Sequence, residues 1–125
     1  TSHNVPLSKQ AVSILKRVGR LYGQEGVVFP GIRQSSKQLS ENTMLYALYR
    51  LGYHSKATVH GFRATFSTIA NESGFDGDVI EKAIAHEERN RVRAAYHRSE
   101  YLEQRRELMQ WWADYLDELK LNPEK

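Results

Sequence analysis

Apolar positions recur at helical spacing along most of the chain. A short extended lead-in, His3 to Pro6, precedes Ser8, a residue suited to an N-cap. Val12, Ile14, Leu15, Val18, Leu21 and Tyr22 then follow one helical period until Gly23 stops the run. Val27-Val28-Phe29-Pro30-Gly31 reads as a brief buried extended piece closed by a turn, and Arg33 to Gln38 as an exposed loop. Ser40 caps a second predicted helix carrying Met44, Leu45, Leu48, Tyr49 and Leu51, with Gly52 just past its end. A third begins near Val59 and His60 and carries Phe62, Phe66, Ile69 and Ala70 up to Gly74. The fourth is predicted from Asp78, with Glu81 completing a capping box, through Val79, Ile80, Ala83 and Ile84. A polar break from Glu87 to Asn90 leads to a short helical segment around Val92 to Tyr96. Ser99 then caps a last helix with Leu102, Leu108, Met109, Trp112, Tyr115, Leu116 and Leu119. The pattern predicts one mainly α domain over residues 1–125, about five to six helices with a minor β piece.

Composition narrows the class. Hydrophobic residues make up 40% and charged residues 26%, as in a soluble globular domain. No apolar run approaches the roughly 18 residues that span a bilayer, and no signal peptide is visible, so no membrane partner is expected. With 125 residues and no cysteine, the chain can build a core but not a disulfide scaffold, a thiol nucleophile or a thiolate metal site. A reducing, cytoplasmic setting fits. The first residue is Thr1 rather than Met, and the lead-in reads as the end of a strand. We therefore expect a piece of a longer protein, with some working parts upstream.

The net charge of +3 hides a gradient. Residues 1–60 hold eight Lys or Arg against two acids, residues 61–98 six against six, and residues 99–125 four against seven. A basic front suits an anionic partner, and an acidic tail suits a different one.

Two short patterns carry candidate chemistry. In His60-Gly61-Phe62-Arg63, the histidine and arginine lie one turn apart at a predicted helix start. A helix N-terminus favours anions, arginine offers a planar donor fork for phosphate oxygens, and histidine adds a titratable group. By itself the pattern reads better as a capping histidine beside a surface arginine. In Ala83-Ile84-Ala85-His86, an apolar helix ends in histidine, which ordinarily is only a favourable dipole interaction. Tyr96 follows ten residues later, and a tyrosine at helical spacing is ordinarily packing.

Taken together, His60, Arg63, His86 and Tyr96, at intervals of 3, 23 and 10, resemble the tyrosine recombinase (phage integrase) family. Val5-Pro6-Leu7-Ser8, Phe29-Pro30 and the run Ala94-Ala95-Tyr96-His97-Arg98-Ser99-Glu100-Tyr101-Leu102 look like integrases of prophages and pathogenicity islands. The resemblance spans nearly the whole chain and implies the C-terminal portion of the catalytic domain. It implies site-specific integration and excision of DNA through a 3′-phosphotyrosine, with Tyr96 as nucleophile. Arg63 would stabilise the non-bridging oxygens, His60 would bind the phosphate or assist proton transfer, and His86 would position the phosphate or the tyrosine. A free tyrosine hydroxyl has a pKa of about 10, so it needs such help to react. The resemblance implies no metal and no nucleotide cofactor. Its implied partners are double-stranded attachment-site DNA, further copies of the chain in a tetramer on DNA, and accessory bending or excision factors. The family also uses an upstream arginine and a hairpin lysine, both expected before Thr1, so the chain alone is expected to be inactive. The family's segment after the nucleophile often packs on a neighbouring protomer; the tail over residues 99–125 suits that role or covering its own core.

Other readings fare less well. His86-Glu87 begins like a His-Glu-x-x-His zinc helix, but position 90 is Asn, so the second ligand is missing. Asn71-Glu72-Ser73 matches a glycosylation acceptor with no secretory context. A non-catalytic helical DNA-binding domain would explain the charge gradient, and a type IB topoisomerase would share the chemistry. Arg33, Lys37, Arg50 and Lys56 are candidate DNA contacts from the basic front, each also readable as a solvated charge.

Overall fold

The computed structural model describes residues 3–31, 37–86 and 100–123. Five helices occupy them: α1 (Lys9–Tyr22), α2 (Glu41–Arg50), α3 (Val59–Glu72), α4 (Gly77–Ala83) and α5 (Leu102–Leu121). The mainly α expectation holds, and the β piece among the described residues is one isolated antiparallel bridge, Pro30 to Gln38. Around it, Gly31 N–H donates to the Lys37 carbonyl at 2.7 Å and Leu39 N–H to that of Phe29 at 2.9 Å. The expectation that this piece is buried fails. A single bridge gives it no sheet to lie in, and Val28 and Phe29 remain about half exposed.

The described residues cluster into two compact units, Thr1–Lys9 with Thr65–Lys125, and Gln10–Ala64. In the first, Phe66 and Ala70 of α3, Val79 and Ile80 of α4, and Leu108 of α5 form the buried core. Phe66 and Ala70 stand one turn apart, and Leu108, Trp111, Trp112 and Tyr115 follow the i, i+3, i+4, i+7 stripe of a core-facing helix. Full burial of Ile80 or Leu108 contributes about 1.5–3 kcal/mol each. Both tryptophans pack on this core: Trp112 meets Phe66 edge-on at 5.3 Å and Trp111 meets Phe75 at 4.7 Å. α4 also packs against α5. The acidic tail helix therefore covers a core of its own. It further satisfies the start of α1, where Lys9 N–H donates to Gln110 Oε1 at 2.9 Å.

Two predicted helix starts move. α4 is capped by Asp76, whose Oδ1 accepts from Asp78 N–H at 2.8 Å, so the helix begins at Gly77 and Asp78 is already inside it. α5 begins at Leu102 with Tyr101, not Ser99, at its N-cap. Ser99 itself, with the predicted segment around Val92 to Tyr96, lies outside the described residues. Ser40 caps α2 as expected, accepting from Asn42 N–H at 3.3 Å.

The second unit holds most of α1, the bridge, α2 and the opening of α3. Its aromatic residues meet at Tyr49, which contacts His54 at 4.4 Å and Tyr46 at 6.0 Å, both edge-on. No helix among the described residues is long and apolar enough to cross a membrane.

Candidate active site

Thr58 fixes where α3 begins. Its Oγ1 accepts from Gly61 N–H at 2.9 Å, which leaves the two preceding amides at the open end of the helix. His60 and Arg63 rise from the first two turns, both exposed, and neither side chain has a hydrogen-bond or ion-pair partner among the described residues. Two cationic or cationisable groups here oppose the helix dipole, which favours negative charge at this end. The same placement adds their fields to that of the helix, which raises the attraction of this turn for an anion at a cost in stability. The glycine between them has a steric reason. A Cβ on Gly61 would stand 3.0 Å from Thr58 Oγ1, pressing on the hydroxyl that caps the helix.

His86 is aimed by the end of α4. Three helices close in the same way: in α2 Gly52 N–H donates to Tyr49 and Tyr53 N–H to Leu48, and in α3 Gly74 donates to Asn71 and Phe75 to Ala70. In α4 Ala85 N–H donates to the Lys82 carbonyl at 3.1 Å and His86 N–H to that of Glu81 at 2.9 Å. This paired closure needs a left-handed residue, supplied by Gly52 and Gly74 but by Ala85 at φ 54° in α4. The closure folds His86 back over the last turn, where its Nδ1 contacts the Glu81 carboxylate. That contact is an ion pair when the ring is protonated. Nδ1 is thereby engaged, and Nε2 has no partner among the described residues. The side chain stays 58% exposed, open to a ligand.

Ala85 gives a direct test of this closure. Left-handed backbone costs a side-chain-bearing residue roughly 1–2 kcal/mol, while the added chain entropy of glycine costs about 0.5–1. Ala85→Gly is therefore expected to raise stability by about 0.5–1 kcal/mol in chemical denaturation. A loss of stability of that size would contradict the left-handed assignment.

The structure thus places His60 and Arg63 together on α3, and His86 with Glu81 at the end of α4. Tyr96 lies outside the described residues, as does Arg33. Lys37 is exposed beside the bridge, Lys56 is exposed between α2 and α3, and Arg50 is exposed in the last turn of α2, where a cation complements the dipole. Glu81 and Thr58 escaped the sequence reading of the site. The backbone closure that brings Glu81 and His86 together needs a left-handed residue, and at that position the sequence has Ala85 rather than glycine. Among the described residues no group of three His, Asp or Glu side chains is placed to hold a metal.

Comparison with known proteins is consistent across the chain. The integrase of Enterobacteria phage P4 is 48% identical over 119 residues, covering 92% of this chain and 27% of the phage protein. The putative protein IntB of Escherichia coli K12 is 47% identical over 121 residues, covering 94% of this chain and 31% of that protein. Prophage integrase IntA of the same strain is 46% identical over 112 residues, 90% of this chain and 27% of its own length. The chain thus spans about 27% to 31% of the length of these relatives. No solved structure gives a significant match. The model of the phage integrase family matches residues 1–103, and the chain belongs to that family.

Proposed function

We propose that this chain carries the nucleophile and most of the phosphate-binding groups of a site-specific DNA recombinase. The observation that carries the reading is the exposed His60 and Arg63 pair on the capped N-terminal turns of α3. In the proposed step the Tyr96 oxygen attacks a phosphorus of double-stranded attachment-site DNA. The new P–O bond forms as the bond to the 5′-oxygen breaks, leaving a 3′-phosphotyrosine and a 5′-hydroxyl. Tyr96 gives up its proton and the departing 5′-oxygen takes one up. Arg63 stabilises charge on the non-bridging oxygens through its donor fork. His60 hydrogen-bonds the same phosphate or assists proton transfer, and His86, oriented by Glu81, donates from Nε2 to the phosphate or the tyrosine. Attack by the 5′-hydroxyl of a second strand reverses the step and exchanges strands, without a cofactor.

Exchange between two sites implies several copies of the protein on DNA, a tetramer by the family's pattern, with accessory factors setting direction. The basic second unit, with Lys37, Arg50 and Lys56, and with Arg33 in the sequence between its helices, supplies backbone contacts. The test uses the full-length protein on a plasmid with two attachment sites and on a supercoiled plasmid with none. Exchange at the paired sites is the expected result. Relaxation without exchange would assign a topoisomerase, and binding without either would assign a non-catalytic domain.

A further inference from the structure

Arg105 is the largest fully buried side chain among the described residues, 1% exposed in the first turn of α5. A guanidinium is permanently charged, and a cation in a first helical turn faces the wrong end of the dipole. Burial there opposes stability unless the group holds something in place. What it holds is two distant stretches of chain. Its Nη1 donates to the Glu100 carbonyl at 3.0 Å, and its Nη2 donates to the Asn4 carbonyl and lies 3.4 Å from His3 Nε2. Asn4 is 101 residues away in sequence, whereas Glu100 stands four residues after Tyr96.

The turn between Glu100 and α5 is itself constrained. Tyr101 sits left-handed at φ 50° at the helix N-cap and packs its ring on the core. Arg105 N–H donates to the Tyr101 carbonyl at 2.8 Å, so one residue holds successive carbonyls from backbone and side chain together. A β-type lead into α5 would avoid the left-handed cost, so the bend persists because its surroundings fix it.

We propose that Arg105 is a positioning residue for strand cleavage, tying Glu100, four residues after Tyr96, to the His3–Asn4 stretch. It touches no reacting atom. It fixes the backbone at Glu100, four residues after the proposed nucleophile, and a small misplacement of a reacting oxygen is enough to slow attack. This inference rests on the assignment of Tyr96 as nucleophile.

The test compares full-length wild type, Arg105→Met, Arg105→Lys and Tyr96→Phe on a nicked suicide attachment site. DNA affinity, thermal midpoint and the single-turnover rate of adduct formation at saturating protein are read for each. Arg105→Met keeps the volume and removes the fork, and is expected to slow adduct formation about 10- to 100-fold. Its DNA affinity should stay within about two-fold, because a positioning defect appears in rate rather than in binding. Arg105→Lys restores the charge without the fork, cannot span both carbonyls, and is expected to fall between the two. A wild-type rate in Arg105→Met overturns the proposal, as does a loss of affinity matching the loss of rate. If Arg105→Met does not fold, Arg105→Lys decides: a slowed rate at unchanged affinity supports it, a wild-type rate ends it. An adduct still formed by Tyr96→Phe would instead remove the nucleophile assignment beneath it.

Discussion

Full-length protein carrying Tyr96→Phe is expected to bind attachment-site DNA as wild type does and to form no covalent adduct. The substitution removes one oxygen and keeps the ring, so whatever packing the ring makes is nearly preserved. Without that oxygen no phosphotyrosine can form, and the loss is complete rather than graded. Tyr101 is the natural rival, being the next tyrosine along the chain. Its ring is partly buried against the core cluster, and its backbone caps α5. A nucleophile must reach phosphorus, and a ring built into the core is poorly placed to do so. Tyr101→Phe is accordingly expected to retain the adduct. Denaturation of both variants separates chemistry from folding, and gel shift on the same DNA separates it from binding.

The second large effect falls on Arg63. Arg63→Ala is expected to slow single-turnover cleavage by about 10²–10³-fold, the usual cost of removing one preorganised donor to developing charge. Stability should change by no more than about 0.5 kcal/mol, since the side chain is exposed. Arg63→Lys restores the charge but not the bidentate fork, and recovers only part of the rate. DNA affinity falls much less than rate in both, because one phosphate contact among several is lost. Equal losses in rate and affinity would make Arg63 an ordinary DNA contact.

Much of this site was visible in sequence because local rules govern it. His60 and Arg63 are three residues apart on a regular helix, and Ser40 and Gly52 bound α2 by familiar capping chemistry. The predicted start of α4 falls two residues late because Asp76 and Asp78 are both good caps, and only the folded backbone, with Asp76 Oδ1 accepting from Asp78 N–H, decides between them. Val28 and Phe29 look like core by composition, yet burial depends on partners that one bridge does not supply. Glu81 reads as half of a capping box until the left-handed Ala85 turns His86 back onto it. Arg105 was illegible for a different reason. It stands in the polar run Gln104-Arg105-Arg106-Glu107, and one carbonyl that holds its guanidinium lies 101 residues away. Among the described residues its neighbour Arg106 makes only an exposed pair with Glu103, so the two arginines differ by tertiary context.

The family membership of the chain and the exposed cationic turn of α3 converge on one claim, that Tyr96 becomes covalently joined to DNA. Trapping full-length wild-type protein on a nicked suicide attachment site, digesting it with protease and nuclease, and sequencing the nucleotide-bearing peptide by mass spectrometry tests it most directly. The account expects the added nucleotide mass on Tyr96. The same mass on Tyr101 or on any other residue, or a nicked site left with no protein attached, would contradict it.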